Sequence, residues 1–152
     1  MSVIEARLAD IGLVLPDPVA PIANYVPAVL AGNLLHISGQ VSLDANGGVK
    51  GIVGEDVSLE RAQDAARMCG VNLIAQMRMA LGDLDRVVRV VKLGGFVQAG
   101  PEFYDIPKVV NGCSDLMVQV FGDAGRHARA AVGVYRLPLG YAVEVDAVVE
   151  VS

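Results

Sequence analysis

The stretch from His127 to Val151, HARAAVGVYRLPLGYAVEVDAVVEV, decides the fold class. From Ala142 onward, Ala142, Glu144, Asp146, Val148 and Glu150 alternate with Val143, Val145, Ala147, Val149 and Val151. A period of two with one apolar and one largely acidic side is the pattern of a strand covered on one face only. Upstream, Arg129 to Arg136 reads as a second strand that stops at Leu137-Pro138, because proline cannot donate to a ladder. The two strands are expected to close as a hairpin about Pro138–Leu139, with Glu144 opposite Gly133 and Arg129 opposite Val148. The two charges would then not pair with each other, and each would be free to face something else.

Working back from this run, the middle of the chain alternates helices with strands. Ser58 is a good N-cap and Gly82 a C-terminal glycine for a long helix whose stripe is Ala62, Ala66, Cys69, Leu73, Met77 and Ala80. Arg86 to Val97 is Val-rich and apolar on both sides, as a central strand would be. A second helix begins near Asp105-Ile106-Pro107 and ends at Gly122, with Val109, Val110, Cys113, Leu116, Met117, Val120 and Phe121 on its stripe. Asn111 lies off that stripe, where a solvated position is the plain reading. Nearer the start, Tyr25 to Leu30 and Leu34 to Ser38 form an expected hairpin, the first strand an edge because Pro27 lacks a donor. Residues 1–20 give a short amphipathic helix, Val3 to Ile11, and a proline-rich extended arm. The order is helix, β, β, α, β, α, β, β: a single two-layer α+β domain over residues 1–152, with two long helices on one face of the sheet.

Composition narrows the function classes. The 152 residues carry a net charge of -5 and a pI near 4.9, with no basic run and no tryptophan, which argues against nucleic acid as the main partner. The chain is 53% hydrophobic with a mean hydropathy of +0.48, yet no apolar run approaches the roughly 18 residues that span a membrane. Surplus apolar surface without a span points to burial against copies of itself. The N-terminus lacks a basic-then-apolar leader, so a cytoplasmic protein is expected. Cys69 and Cys113 sit on apolar helix stripes and read as reduced packing residues. His36 reads as a structural histidine within an apolar strand, and no metal-like spacing surrounds it, so no metal is expected. The glycines of GGVKGIVGED match no phosphate-loop pattern. Ser38-Gly39-Gln40 closes a strand and would admit a ligand close to the backbone; a β-bulge is the competing reading.

Three ordered segments, PIANYVPAVLAGNLLHISGQ, GDLDRVVRVVKLGGFV and HARAAVGVYRLPLGYAVEVDA, resemble the RidA/YjgF family of reactive-intermediate deaminases, also called L-PSP endoribonuclease-like. The last segment is the most specific, with Arg at the strand start, Leu-Pro eight and nine residues on, and Val-Glu-Val-Asp-Ala beyond. The resemblance implies a chorismate-mutase-like fold, a mixed sheet assembled as a homotrimer with sites in clefts between subunits, and no cofactor or metal. It implies hydrolysis of enamine/imine intermediates such as 2-aminoacrylate to 2-keto acids and ammonia. By position, Arg129 matches the arginine that clamps the substrate carboxylate, and a planar guanidinium fork suits that task. Glu144 matches the acid that assists the attacking water. Tyr25, Ser38, Gly39, Asn111 and Ala131 fall at substrate-binding positions, Ala131 where cysteine is common. Asn24 stands where Gly or Pro is more usual, and the N-terminal helix and the FYDIPKVVNG segment lengthen the chain, resembling a longer subgroup of about 150 residues. Without the resemblance, Arg129 would read as an ion-pair residue and Glu144 as an exposed sheet residue. A non-catalytic binder of keto acids or related metabolites, or an endoribonuclease as the older family name has it, are the competing functions.

Overall fold

Ser58 and Gly82 bracket the longest helix as their chemistry dictates. Ser58 Oγ accepts from the Arg61 N–H at 3.1 Å, and Gly82, at φ 77°, closes the last turn onto the Arg78 carbonyl. The computed structural model describes residues 2–18, 20–21 and 23–152; Met1, and Val19 and Ile22 of the expected arm, lie outside the described residues. The helices are α1 (Val3–Asp10), α2 (Leu59–Leu81) and α3 (Ile106–Phe121). The strands are β1 (Ala28–Ala31), β2 (Leu34–Val41), β3 (Val87–Gln98), β4 (Ala128–Val134) and β5 (Val143–Val151). They form one mixed sheet in the order β1-β2-β5-β3-β4, in which only β3 and β4 run parallel.

Helices α2 and α3 cover one face, and α1 packs against α3. Leu35 and Ile37 of β2, Val90, Leu93 and Val97 of β3, and Val143, Val145 and Val149 of β5 are buried against them. Small residues set the spacing: a methyl group at Gly95 would press on Val110 of α3, and one at Gly112 would meet the Gln63 backbone of α2. The other face carries His36, Glu144, Asp146, Val148 and Phe96, half-buried or exposed, with no helix over it. The α+β architecture and the one-sided alternation of β5 thus stand as read from the sequence.

Several local expectations need correcting. The hairpin of β4 with β5 does not form: β3 lies between them, pairing with β4 through Leu93↔Arg129 and with β5 through Phe96↔Glu144. The β3–α3–β4 unit is a crossover that lays β4 parallel to β3, leaving the other edge of β3 to β5. The first strand begins at Ala28 rather than Tyr25, because the Pro27 and Val26 carbonyls are taken by the Ser38 N–H and hydroxyl at 2.9 and 2.8 Å. The second strand does not stop at Ser38; it shifts register between Ile37 and Gln40 and runs on to Val41, so the bulge is real. His36 is exposed on the open face, not structural within a core, and Ala80 is exposed at the solvent side of α2.

Candidate functional site

The bulge in β2 shapes a cavity of about 460 Å³ beside β5. Its walls come from the segment entering β1 (Pro21, Tyr25, Pro27), the bulge itself (Ser38, Gly39, Gln40) and the loop before β5 (Pro138, Leu139, Tyr141), with Glu144 among them. Four sequence-predicted residues, Tyr25, Ser38, Gly39 and Glu144, are therefore brought together. Gly39 leaves the Glu144 carboxylate its place: a Cβ there would lie 2.9 Å from the carboxyl Cδ, and the side chain would have to move aside. Glu144 has no hydrogen-bond partner among the described residues. Burial pushes its carboxyl above the ordinary value, and the like charge of Asp146, two residues on along the same face, adds to the rise. Asp146 is itself raised by burial, with the Gly94 N–H and Lys92 pulling the other way. A carboxyl so placed can hold a proton or take one at accessible pH.

Arg129, Asn111 and Ala131 are brought together elsewhere. Arg129 and Ala131 lie on the helix side of β4, beside the first turns of α3. Arg129 Nη1 donates to Asn111 Oδ1 at 2.8 Å and to Ser114 Oγ at 3.2 Å, and Nη2 donates to the Pro107 carbonyl at 3.3 Å. Three of the five N–H groups of a guanidinium are thus engaged, leaving Nε–H and one Nη2–H, the pair that can meet both oxygens of a carboxylate.

Two residues that sequence reasoning missed hold this fork. His127 Nδ1 faces the Gly125 carbonyl at 2.6 Å, which can only accept, so Nδ1 carries the proton. Neutral Nε2 then accepts from the Ser114 hydroxyl at 2.8 Å, and the Ser114 oxygen accepts from Arg129. Burial, with the Arg129 charge adding, lowers the His127 pKa and favours this neutral form. The signal was present in the spacing, since Asn111 and Ser114 are three apart on one helix face and His127 and Arg129 two apart on one strand face.

The two clusters do not meet within the chain. Arg129 lies on the helix side of the edge strand β4, and Glu144 on the open side of β5, with β3 between. Both cysteines are buried and free; burial pushes the Cys113 thiol up to about 12, and Cys69 is raised in the same way. Neither is a nucleophile in this state. Among the described residues no group of three or more His, Cys, Asp or Glu side chains could hold a metal ion, and no helix is long and apolar enough to cross a membrane.

Known proteins share this layout. A solved structure from Shewanella oneidensis, described as a putative endoribonuclease, superposes with a TM-score of 0.95 at 32% identity, covering 99% of this chain and all of that one (100%). One from Agrobacterium tumefaciens gives 0.91 at 48% identity over 98% of this chain and 92% of that chain. In sequence, Protein TCP17 of Trypanosoma cruzi is 49% identical over 151 residues, 98% of this chain and 94% of its own length. The family model "YjgF/chorismate mutase-like, putative endoribonuclease" matches residues 5–150. The chain belongs to the RidA/YjgF family and has its chorismate-mutase-like fold.

Proposed function

We propose that this protein hydrolyses reactive 2-imino acids, and the enamines that tautomerise to them, to 2-keto acids and ammonia. The observation that carries the reading is the Arg129 fork, which keeps two N–H groups while Pro107, Asn111 and Ser114 fix the rest. Such a fork binds a carboxylate in one orientation. Glu144 supplies the proton chemistry. Water adds to the imine carbon and one of its protons passes to the nitrogen as the C–O bond forms; the remaining hydroxyl proton then passes to the nitrogen as the C=O bond forms and the C–N bond breaks, releasing ammonia. A carboxylate with a raised pKa and no side-chain hydrogen bond among the described residues suits both transfers. No metal or organic cofactor has a step in this scheme.

Because Arg129 and Glu144 sit on opposite sides of the sheet, the proposed site needs two chains. The open sheet face and the edge strand β4, with exposed Ala128, Ala130 and Val132, suit a head-to-tail ring of copies, which we take to be the homotrimer that the family resemblance implies. Each cavity would then receive Arg129, Asn111 and Ala131 from a neighbour. A cytoplasmic place, where pyridoxal-phosphate enzymes release such imines, fits this role.

The test is release of keto acid and ammonia from imines generated in situ by an amino-acid oxidase. Arg129→Ala is expected to keep the assembly and abolish the acceleration; unchanged turnover would refute the assignment. The fork also supports a second reading, a non-catalytic keto-acid binder, which saturable binding without product would favour. Endonucleolytic cleavage fits less well with a chain of net charge -5 and no basic run.

A further inference from the structure

The wall of the cavity formed by the loop before β5 has features that carboxylate binding and proton transfer leave unused. Leu139 is the one non-glycine residue at positive φ among the described residues, at φ 59° and ψ 14°, and its side chain is 67% exposed on the cavity wall. A leucine in the left-handed region is strained and persists only where its surroundings impose it. Here they do. Gln98, 2% exposed, accepts from the Leu137 N–H at 2.7 Å and donates to the Gly51 carbonyl at 2.8 Å and the Gly140 carbonyl at 3.4 Å. The Gly51 N–H reaches the same Gly140 carbonyl at 3.0 Å. A buried amide thus pins both ends of a short loop, and the loop presents an exposed aliphatic side chain.

The rest of the lining agrees. Three polar side chains around the cavity are engaged with the protein: Ser38 Oγ donates to the Val26 carbonyl, Gln40 Nε2 to the Ser38 carbonyl, and Asn72 Nδ2 to the Val41 and Leu43 carbonyls. A ligand side chain meets the carbon surface of Pro21, Pro27, Val41 and Leu139 and the exposed Tyr25 ring, while the buried Tyr141 ring carries the Lys50 ammonium at 4.8 Å. In the single chain the cavity measures about 460 Å³, within the range of roughly 300–1,000 Å³ for ligand pockets, and a neighbour's Arg129 side would take part of that space.

We infer that Leu139 is a specificity-determining residue and that the cavity selects 2-imino acids with branched aliphatic or aromatic side chains over the three-carbon member. This deepens the deaminase reading and rests on it for the reaction, but the selection itself is a property of binding. Each buried methylene contributes about fourfold in affinity, so a four-carbon branched side chain should exceed a methyl group by at least about tenfold.

The test pairs two readouts. Calorimetric binding of pyruvate, 4-methyl-2-oxopentanoate and phenylpyruvate is measured on the wild type, on Leu139→Ala and on Leu139→Asn, which keeps a residue tolerant of the left-handed region. Turnover of the imines from alanine, leucine and phenylalanine is measured alongside, with sedimentation to confirm that the assembly is retained. The expected result is tighter binding of the two large keto acids by at least about tenfold, and a preference that shrinks several-fold in both variants. Pyruvate bound as tightly as the larger acids, no binding of any, or a preference unchanged in the variants, overturns the inference. Turnover of every imine without preference removes the selection and leaves the deaminase. Preferential binding without turnover of any imine removes the deaminase and leaves the apolar cavity.

Discussion

Glu144 is where stability and chemistry pull in opposite directions. Its folded carboxyl titrates above the ordinary 4.5 because burial, then Asp146, disfavours the charge. Between these two values the folded chain holds a proton that the unfolded chain has lost. The stabilisation is complete below the unfolded value and disappears as pH rises through the folded one. Near neutrality the ionised group is therefore a net cost. Glu144→Gln should melt above the wild type near pH 7, with the gap closing towards about pH 4, while turnover falls by about 10²-fold or more. A Gln variant that melts lower at neutral pH would contradict the assignment of Glu144 as a desolvated carboxylate. Asp146→Asn removes the like charge and should move the acid limb of the activity profile to lower pH; an unmoved limb would mean that Glu144 is not the group that titrates. Arg129 belongs to the same scale. Its proposed role comes from the resemblance, whereas the Ser114–His127 couple that holds it was not legible, because the contact joins α3 to the start of β4 through tertiary packing.

Elements were legible to the extent that their signals are local. The ends of α2 follow from Ser58 and Gly82, the start of α3 from Pro107, and the face of β5 from strict alternation. Strand pairing is not local. Neighbouring strands joined by a short loop usually pair, yet β4 and β5 each pair with β3 instead, and only the packing of α3 between β3 and β4 decides this. Glycine spacing between elements can be tested directly. A Cβ at Gly112 would press on the Gln63 backbone carbonyl, with its carbon at 2.9 Å, and on Ala66 at 3.2 Å. Backbone cannot swing aside, so Gly112→Ala should force α2 and α3 apart and lower stability by about 1–3 kcal/mol in denaturant titration. Gly39→Ala meets only the end of the flexible Glu144 side chain, so it should lose activity with a smaller loss of stability. Equal destabilisation by the two substitutions would contradict this division.

For the whole molecule, the arrangement that matters is one the single chain lacks. Tyr25, Ser38, Gly39 and Glu144 share one cavity, while Arg129, Asn111 and Ala131 lie across the sheet. The apolar composition pointed to self-association, and the resemblance pointed to clefts between subunits, but sequence alone could not say that the two halves are held apart. In the proposed assembly each site joins the Arg129 side of one chain to the Glu144 side of another. Mixing Arg129→Ala with Glu144→Gln, each inactive by itself, after co-refolding or co-expression tests it most directly. In a head-to-tail ring formed at random, about one quarter of the sites would hold both wild-type residues, so activity should return to about that fraction of the wild-type rate. Mixed assemblies that form and remain as inactive as their parents would contradict a site shared between chains.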